Sequence, residues 1–255
     1  MQSAYVNYSV SNAVGTIEFF TPQHNSLPSK TLSLLASAIN EAANDELCKV
    51  VILKSAGEKT FCAGASFDEL IAIQSTQEGL QFFSGFANVI NAMRKCNKFI
   101  IGCVQGKAIG GGVGLASACD YTLATKNASI KLSELAVGIG PFVVGPAVER
   151  KIGTSAAYEL AIDAGNFRTA EWAKQKGLFV DVFENIAEME QYAADFAKNL
   201  STQSPLAMAA IKQAFWRGTE HWDELLMQRA AISGSLVLSD FTKDFITNFK
   251  SKQTS

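Results

Sequence analysis

A run of glycines is the first group of residues in this sequence that could do chemistry. It spans residues 106–114 and includes three consecutive glycines at 110–112. The preceding segment, Phe99–Val104, is typical of a buried strand, and residues 115–118 begin a short helix. Glycines let the backbone turn sharply and approach a ligand, and a helix start presents free N–H groups. The pattern predicts a site for a phosphate, a carboxylate or a carbonyl oxygen that gains negative charge.

A second glycine-bearing loop, residues 61–66, follows another short apolar strand at residues 50–53. In a parallel sheet the carboxyl ends of neighbouring strands face the same crevice, where ligands usually bind. Backbone N–H groups that converge from two such loops would form an oxyanion hole. The alternative is that both loops are only tight connections between elements.

A dinucleotide site is the obvious rival interpretation. Residues 112–117 resemble G-x-G-x-x-G with serine at the last position, and Glu134 follows about 20 residues later. The helix over residues 112–118, however, is too short to cross back over a sheet. The motif also lies mid-chain, and there is no G-x-x-x-x-G-K-[ST] phosphate loop. These features disfavour a dinucleotide.

Glu134 is a lone acid between apolar residues, close to Gly138, Gly140 and Pro141. A carboxyl group buried there would have a raised pKa and could exchange a proton near neutral pH. The alternative is a surface glutamate that caps a turn. If its carboxyl group is buried, Glu134 is the candidate acid or base of the site.

The composition narrows the class of protein. With 48% apolar and 18% charged residues the chain is typical of a globular protein, and its net charge of −2 gives no reason to expect nucleic acid. No stretch approaches the roughly 20 apolar residues of a membrane helix. The five cysteines lack C-x-x-C spacing, and His24 and His221 lie in no metal-binding pattern. We therefore expect a cytoplasmic protein without disulfides or a bound metal, with both histidines either solvent-facing or in the core.

The order of elements predicts an α/β fold. An antiparallel pair opens the chain, and strands then alternate with helices, which implies crossovers and a largely parallel sheet. The strands are expected at residues 5–10, 14–20, 50–53, 99–104, 121–124 and 179–182, and the first helices at 29–47 and 77–94. After residue 186 the pattern is helical throughout. We expect one α/β core at residues 1–186 and a helical C-terminal region at 187–255.

Seven short motifs, each weak alone, occur in a specific order along the chain. They are Pro22-x-x-Asn25-Ser-Leu27, Phe61-Cys-Ala-Gly-Ala65, Gly106-x-Ala-x-Gly-Gly-Gly112, Ala118-Cys-Asp-Tyr121, Ser133-Glu-x-x-x-Gly138, Gly177-Leu178 and Ser204-Pro-Leu-Ala207. With these motifs the chain resembles the enoyl-CoA hydratase/isomerase, or crotonase, superfamily over almost its whole length. The resemblance implies a crotonase-like spiral of ββα turns, trimers or pairs of trimers, and acyl-coenzyme A thioesters as ligands. It implies no cofactor other than the coenzyme A of the substrate.

The resemblance also assigns roles to individual residues. It implies that the backbone N–H groups of Ala63 and Gly111 hold the thioester carbonyl, and that Glu134 is the catalytic glutamate. The remaining implied substrate-binding residues are Gly64, Ala65 and Ser66 beside the coenzyme A channel and, by a looser match, Phe249 and Lys252 at the adenine end.

The chain departs from the family pattern at three places. Well-studied hydratases carry a second glutamate where this chain has Gly114. We therefore expect Gly114 among the substrate-binding residues that line the pocket, and we expect a glutamate to be tolerated there if the Cα faces the pocket. Ser66 stands where aspartate is common. A glycine-rich loop is replaced by residues 141–146, and we expect Pro141, Phe142 and the two valines that follow to shape the pocket for compact or branched acyl groups.

A single carboxylate leaves more than one reaction open. One acid suffices for isomerisation, because it can remove a proton from one carbon and return it to another. The motifs around Glu134, however, resemble a subgroup that hydrates branched enoyl-CoAs, such as the methylglutaconyl type. The sequence therefore predicts a hydratase that adds water reversibly to a 2-enoyl-CoA through an enolate. The alternatives are a 3-enoyl to 2-enoyl-CoA isomerase and a non-catalytic acyl-CoA binding protein.

Overall fold

The computed structural model of the protein describes residues 3–253, and the side chains of residues 3–248. This part of the chain contains ten strands and ten α-helices. Strands β1 to β10 are Tyr5–Ser11, Val14–Phe20, Val50–Ser55, Thr60–Cys62, Phe99–Val104, Lys107–Ile109, Tyr121–Thr125, Ser129–Lys131, Arg168–Thr169 and Asp181–Phe183. Helices α1 to α10 are Ser29–Asn44, Phe67–Leu70, Thr76–Lys95, Gly111–Ala118, Gly145–Ile162, Ala170–Gln175, Ile186–Ser201, Pro205–Phe215, Trp222–Leu236 and Asp240–Gln253.

The strands form two sheets. Six of them have the order β1-β2-β3-β5-β7-β10, in which β1 and β2 are antiparallel and every other neighbouring pair is parallel. Four shorter strands form a second sheet in the order β4-β6-β8-β9. The parallel-rich sheet and the C-terminal helices confirm the α/β class expected from the sequence.

The two sheets are built together as the chain advances. Each turn gives one strand to the large sheet and the next to the small one, as β3 then β4, β5 then β6, and β7 then β8. Helical segments follow each pair. This repeat is the spiral of ββα turns, and it brings the carboxyl ends of β4, β6 and β8 side by side.

The sequence explains the first hairpin and the central strand. Strand β2 alternates buried and half-buried positions, while β3 is buried along nearly its whole length, as expected beside two parallel neighbours. Asn12 and Ala13 join β1 to β2 with φ angles of 51° and 64°. Two successive positive φ angles are typical of the two-residue turn whose twist matches a hairpin.

Some expected boundaries were wrong. The late strand is Asp181–Phe183 instead of residues 179–182, because Leu178 and Phe179 are fully buried in the core before the strand begins. Helix α5 was not expected, since Gly153 interrupts it with a φ of 77° and breaks its periodic pattern. The strands of the small sheet, two or three residues each, are too short to give a pattern.

The C-terminal helices share the core of the α/β part. Trp216, at the end of α8, and Trp222, at the start of α9, pack in the same apolar cluster as the sheet residues. Buried Lys212 forms an ion pair with Asp120 at 2.8 Å, and Asp120 also accepts a hydrogen bond from Trp216 Nε1. Because the other Asp120 oxygen accepts from the N–H of Ile100 in β5, this carboxylate ties α8 to the large sheet.

Two further observations concern the cysteines and the apolar character of the helices. All five cysteines are free and buried. In the described part of the chain, no helix combines the length and apolar character needed to cross a membrane.

Helices α3 and α9 cross at a pair of glycines. A Cβ placed on Gly79 would lie 2.6 Å from the Cα of Gly234, and a Cβ on Gly234 would lie 2.7 Å from the backbone nitrogen of Leu80. These contacts leave no space for a side chain, so the two backbones touch. The crossing fixes α9 against the part of α3 that reaches the cavity described below.

We expect Gly234→Ala to lower the free energy of unfolding by roughly 1–3 kcal/mol, because its methyl group collides with backbone instead of a movable side chain. Chemical denaturation of the two proteins measures the change. Gly165→Ala is the matched control, since a Cβ at Gly165 meets no atom within 4 Å. Equal effects of the two substitutions would contradict the tight crossing.

Candidate active site

A cavity of about 670 Å³ opens where the loops after β4, β6 and β8 meet. Its wall is completed by the loop after β2 and by residues of α2, α3, α9 and α10. Eight of the residues singled out in the sequence line it: Ala63, Gly64, Ala65, Ser66, Gly111, Glu134, Pro141 and Phe142. We expected the loops at the end of the large sheet, whereas they follow the small one.

The loops after β4 and β6 are in direct contact. Gly64 has a φ of +91°, and a Cβ on it would lie 3.1 Å from the carbonyl oxygen of Ile109 and 3.6 Å from the nitrogen of Gly111. The N–H of Leu27 donates to the carbonyl of Gly64 at 2.7 Å, which fixes the orientation of that peptide. The backbone of Ala63 and Gly64 is thereby held beside the amide of Gly111.

Gly111 packs against an aromatic ring. It is the first residue of α4, so its N–H has no acceptor within the helix. A Cβ at this position would lie 2.2 Å from the Phe86 ring, which also lines the cavity. Only glycine fits between Phe86 and the cavity, and the N–H group is therefore held at the cavity wall.

Glu134 lies against the same glycine turn. The N–H of Gly110 donates to the carbonyl of Lys131 at 2.8 Å, which joins the turn to the strand before Glu134. A Cβ on Gly110 would lie 2.9 Å from Glu134 Oε1. The carbonyl of Glu134 accepts from the N–H groups of Val137 and Ile139, which folds the next residues into a tight turn. The carboxyl group is thus held next to Gly111.

The electrostatic state of Glu134 follows from its surroundings. Its Oε2 atom is buried and has no hydrogen-bond partner among the described residues. Burial disfavours the charged form and raises the pKa of this carboxyl group from 4.5 to about 7. A group with such a pKa can both accept and donate a proton near neutral pH, which suits acid–base catalysis.

Gly114 does not line the cavity, in contrast to our expectation. A Cβ on it would lie 2.5 Å from Val144 Cγ1 and 2.7 Å from Val144 Cβ. Val144 is buried and itself lines the cavity, so it covers position 114, where the resemblance noted in the sequence would place a second glutamate. A glutamate at position 114 therefore does not fit without displacement of Val144.

Three residues at the mouth of the cavity were not predicted from the sequence. Gln23, His24 and Asp68 line it and are exposed. The neighbouring Asn25 is buried, and its amide donates to the carbonyls of Ala56 and Thr60 at 2.8 and 2.9 Å. The motif around Asn25 was noted in the sequence, and it could have indicated that His24 beside it reaches the site.

Other lining residues come from distant helices and carried no sequence signal. They are Phe83 and Phe86 of α3, Ser233 of α9 and Phe245 of α10. Phe249 and Lys252, expected near the adenine end of coenzyme A, lie outside the residues whose side chains are described.

The sequence and the fold that build this cavity are similar to those of known proteins. The sequence profile described as "Enoyl-CoA hydratase/isomerase" matches residues 9–251. The chain belongs to this family. A short-chain-enoyl-CoA hydratase of Clostridium acetobutylicum is 32% identical over 231 residues, which cover 90% of this chain and 87% of that protein.

Further comparisons agree with the enoyl-CoA hydratase/isomerase family. A mitochondrial methylglutaconyl-CoA hydratase of Mus musculus is 33% identical over 200 residues, which cover 77% of this chain and 63% of that protein. The crystal structure of an enoyl-CoA hydratase from Bacillus halodurans superposes with a TM-score of 0.88 at 23% identity, covering 96% of this chain and 99% of that chain. This last likeness shows that the fold is shared.

The contact between Gly114 and Val144 can be tested with a double-mutant cycle. We expect Gly114→Glu alone to lower the free energy of unfolding of this protein by roughly 1–3 kcal/mol, because the new side chain overlaps Val144. Combined with Val144→Gly, which removes the overlapping atoms, its cost should fall by about 1 kcal/mol or more. Urea denaturation of the four proteins measures the coupling. Strictly additive effects would mean that the two positions do not touch.

Burial of Glu134 predicts a pH-dependent stability. Because the pKa in the folded protein exceeds that of the unfolded chain, the folded state binds the proton more tightly and loses stability as the pH rises from about 4.5 to 7. Glu134→Gln removes this loss. We expect the variant to exceed the wild type by roughly 3 kcal/mol at pH 8, and the difference to shrink towards pH 4.5. Urea denaturation at both pH values measures it; a difference independent of pH would contradict the burial.

Proposed function

We propose that this protein is an enoyl-CoA hydratase that reversibly adds water to a 2-enoyl-CoA thioester. The observation that carries the proposal is the position of Glu134: its buried Oε2 atom has no hydrogen-bond partner among the described residues, and its carboxyl group is held against the glycine turn that ends in Gly111. A buried oxygen atom without a hydrogen-bond partner lowers the stability of the fold. Such a cost is consistent with a role for this carboxyl group in the reaction.

In the proposed reaction the thioester oxygen lies between the N–H groups of Ala63 and Gly111. Glu134 in its ionised form takes a proton from water as the water oxygen bonds to C3 of the substrate. The C2–C3 π electrons move towards the thioester, and its oxygen becomes an enolate held by the two N–H groups. Protonated Glu134 then returns the proton to C2, so the atoms of one water molecule are added and the carboxylate is regenerated. Fixed donors at such an oxygen are worth roughly 3–4 kcal/mol each in the transition state.

Two properties of the site support this use of one acid. A pKa of Glu134 near 7 balances the ionised form that accepts the proton and the neutral form that donates it. The contact of the two glycine loops supports a shared binding place for one oxygen.

Isomerisation of a 3-enoyl to a 2-enoyl-CoA is the second candidate. It is favoured by Val144, which puts an apolar side chain where a second acid would otherwise face the substrate. In this reaction Glu134 would take a proton from C2 and return it to C4, and no water would be needed.

We further propose that the protein works in the cytoplasm as a homotrimer or a pair of trimers. Five free thiols support a reducing compartment. Large exposed apolar side chains on α5 and α8, among them Ile162, Leu206 and Phe215, support contact between subunits. Sedimentation velocity measures the number of subunits, and a monomer at micromolar concentration would contradict this part.

We expect Glu134→Gln to keep acyl-CoA affinity but to lower turnover at least 100-fold, because the amide cannot carry the proton. Hydration of crotonyl-CoA is followed by the loss of absorbance of its conjugated thioester. Affinity is measured by calorimetric titration with the saturated butyryl-CoA. Glu171→Gln is the matched control, since Glu171 is an exposed glutamate of α6 outside the cavity lining.

The same assay separates the candidates. A hydratase removes the absorbance of crotonyl-CoA, and an isomerase creates that absorbance from a 3-enoyl-CoA. A protein that does neither but binds butyryl-CoA would contradict an enzymatic function. Turnover of Glu134→Gln within tenfold of the wild type would exclude Glu134 as the proton carrier.

A further inference from the structure

Ser233 is a buried polar residue in the mostly apolar interior of the cavity. It belongs to α9, is 2% exposed and lines the cavity. Its hydroxyl group forms no hydrogen bond with any described residue. Because Ser233 lines the cavity, its hydroxyl group is free to exchange a hydrogen bond with a ligand there. Ser233 is therefore a polar group available to a ligand in this part of the cavity.

The helix crossing places Ser233 at a distance from the reacting carbons. Its neighbour Gly234 touches Gly79 of α3, while Phe86, seven residues further along α3, supports Gly111. With a rise of 1.5 Å per residue, the crossing lies about 10 Å along α3 from the level of Phe86 and Gly111. Ser233 thus faces a part of the ligand beyond C2 and C3, and it is buried, unlike the residues at the mouth.

The charges of the cavity restrict what Ser233 can bind. The described lining contains no lysine or arginine, and its acids are Asp68 and Glu134. A carboxylate at the far end of an acyl chain would be buried without a cation and repelled by Glu134. A neutral oxygen-bearing group, by contrast, can exchange a hydrogen bond with a serine hydroxyl group.

We propose that Ser233 is a specificity-determining residue that hydrogen-bonds a neutral hydroxyl or keto group near the far end of the acyl chain. This inference rests on the proposed function, because it assumes that the cavity holds an acyl thioester. The rest of the distal wall, which includes Leu70, Phe83 and Ile139, contacts the apolar part of the chain.

The test compares two thioesters that differ in one group, trans-2-octenoyl-CoA and the same molecule with a hydroxyl group on its terminal carbon. For the wild type we expect a higher kcat/KM with the hydroxylated thioester. Ser233→Ala should lower the ratio of the two kcat/KM values about tenfold, as expected for loss of one hydrogen bond. Ser235→Ala, an exposed serine two residues away on α9, should leave the ratio unchanged.

An unchanged ratio in Ser233→Ala would overturn the proposal, and so would an equal loss with both thioesters. Thermal unfolding of the variants shows that they are folded. If the wild type turns over neither thioester, the proposed function fails while Ser233 can still be tested. Calorimetric titration with octanoyl-CoA and its terminal hydroxyl derivative then gives the ratio of Kd values, which Ser233→Ala should change about tenfold if Ser233 binds the hydroxyl group.

Discussion

The site depends on the absence of side chains where its backbones meet. Gly64, Gly110, Gly111 and Gly112 each lie so close to a neighbouring group that a Cβ would collide with or press against it. The neighbours are the carbonyl oxygens of Ile109 and Cys62, the Glu134 carboxyl group and the Phe86 ring. Because four glycines leave this space, one cavity receives an amide group, a carboxyl group and an aromatic floor from three separate turns of the spiral. Because the packing is this dense, an atom added at any of these glycines would displace the groups that form the site.

Glu134 shows how such a site balances stability against reactivity. One carboxyl oxygen is buried without a partner among the described residues, and burial raises the pKa of the group to about 7. A hydrogen bond to that oxygen would have stabilised the charged form and fixed the group as a carboxylate. Its absence keeps both protonation states within reach near neutral pH.

The sequence allowed prediction of the fold class and of eight of the residues that line the cavity, and the reasons differ by residue. The glycine run and the lone Glu134 were found because chemistry and backbone conformation restrict residue types locally. The contact between Val144 and Gly114 was not, because it joins residues thirty positions apart and each is an ordinary residue by itself. Ser233 gave no signal either, since a single serine in a helix resembles any other. The small sheet was not predicted because its strands of two or three residues have no periodicity.

The ion pair between Asp120 and Lys212 has a consequence for the order in which the protein matures. During synthesis from the N-terminus, the glycine loops and Glu134 leave the ribosome well before Ser233 and Phe245, which complete the cavity wall. Lys212 must reach Asp120 for α8 to settle on the large sheet, and α9 follows it directly in the chain. The acid and the amide groups of the site are therefore synthesised before the helices that complete the cavity wall, so the enclosed chamber forms only after those helices have been made.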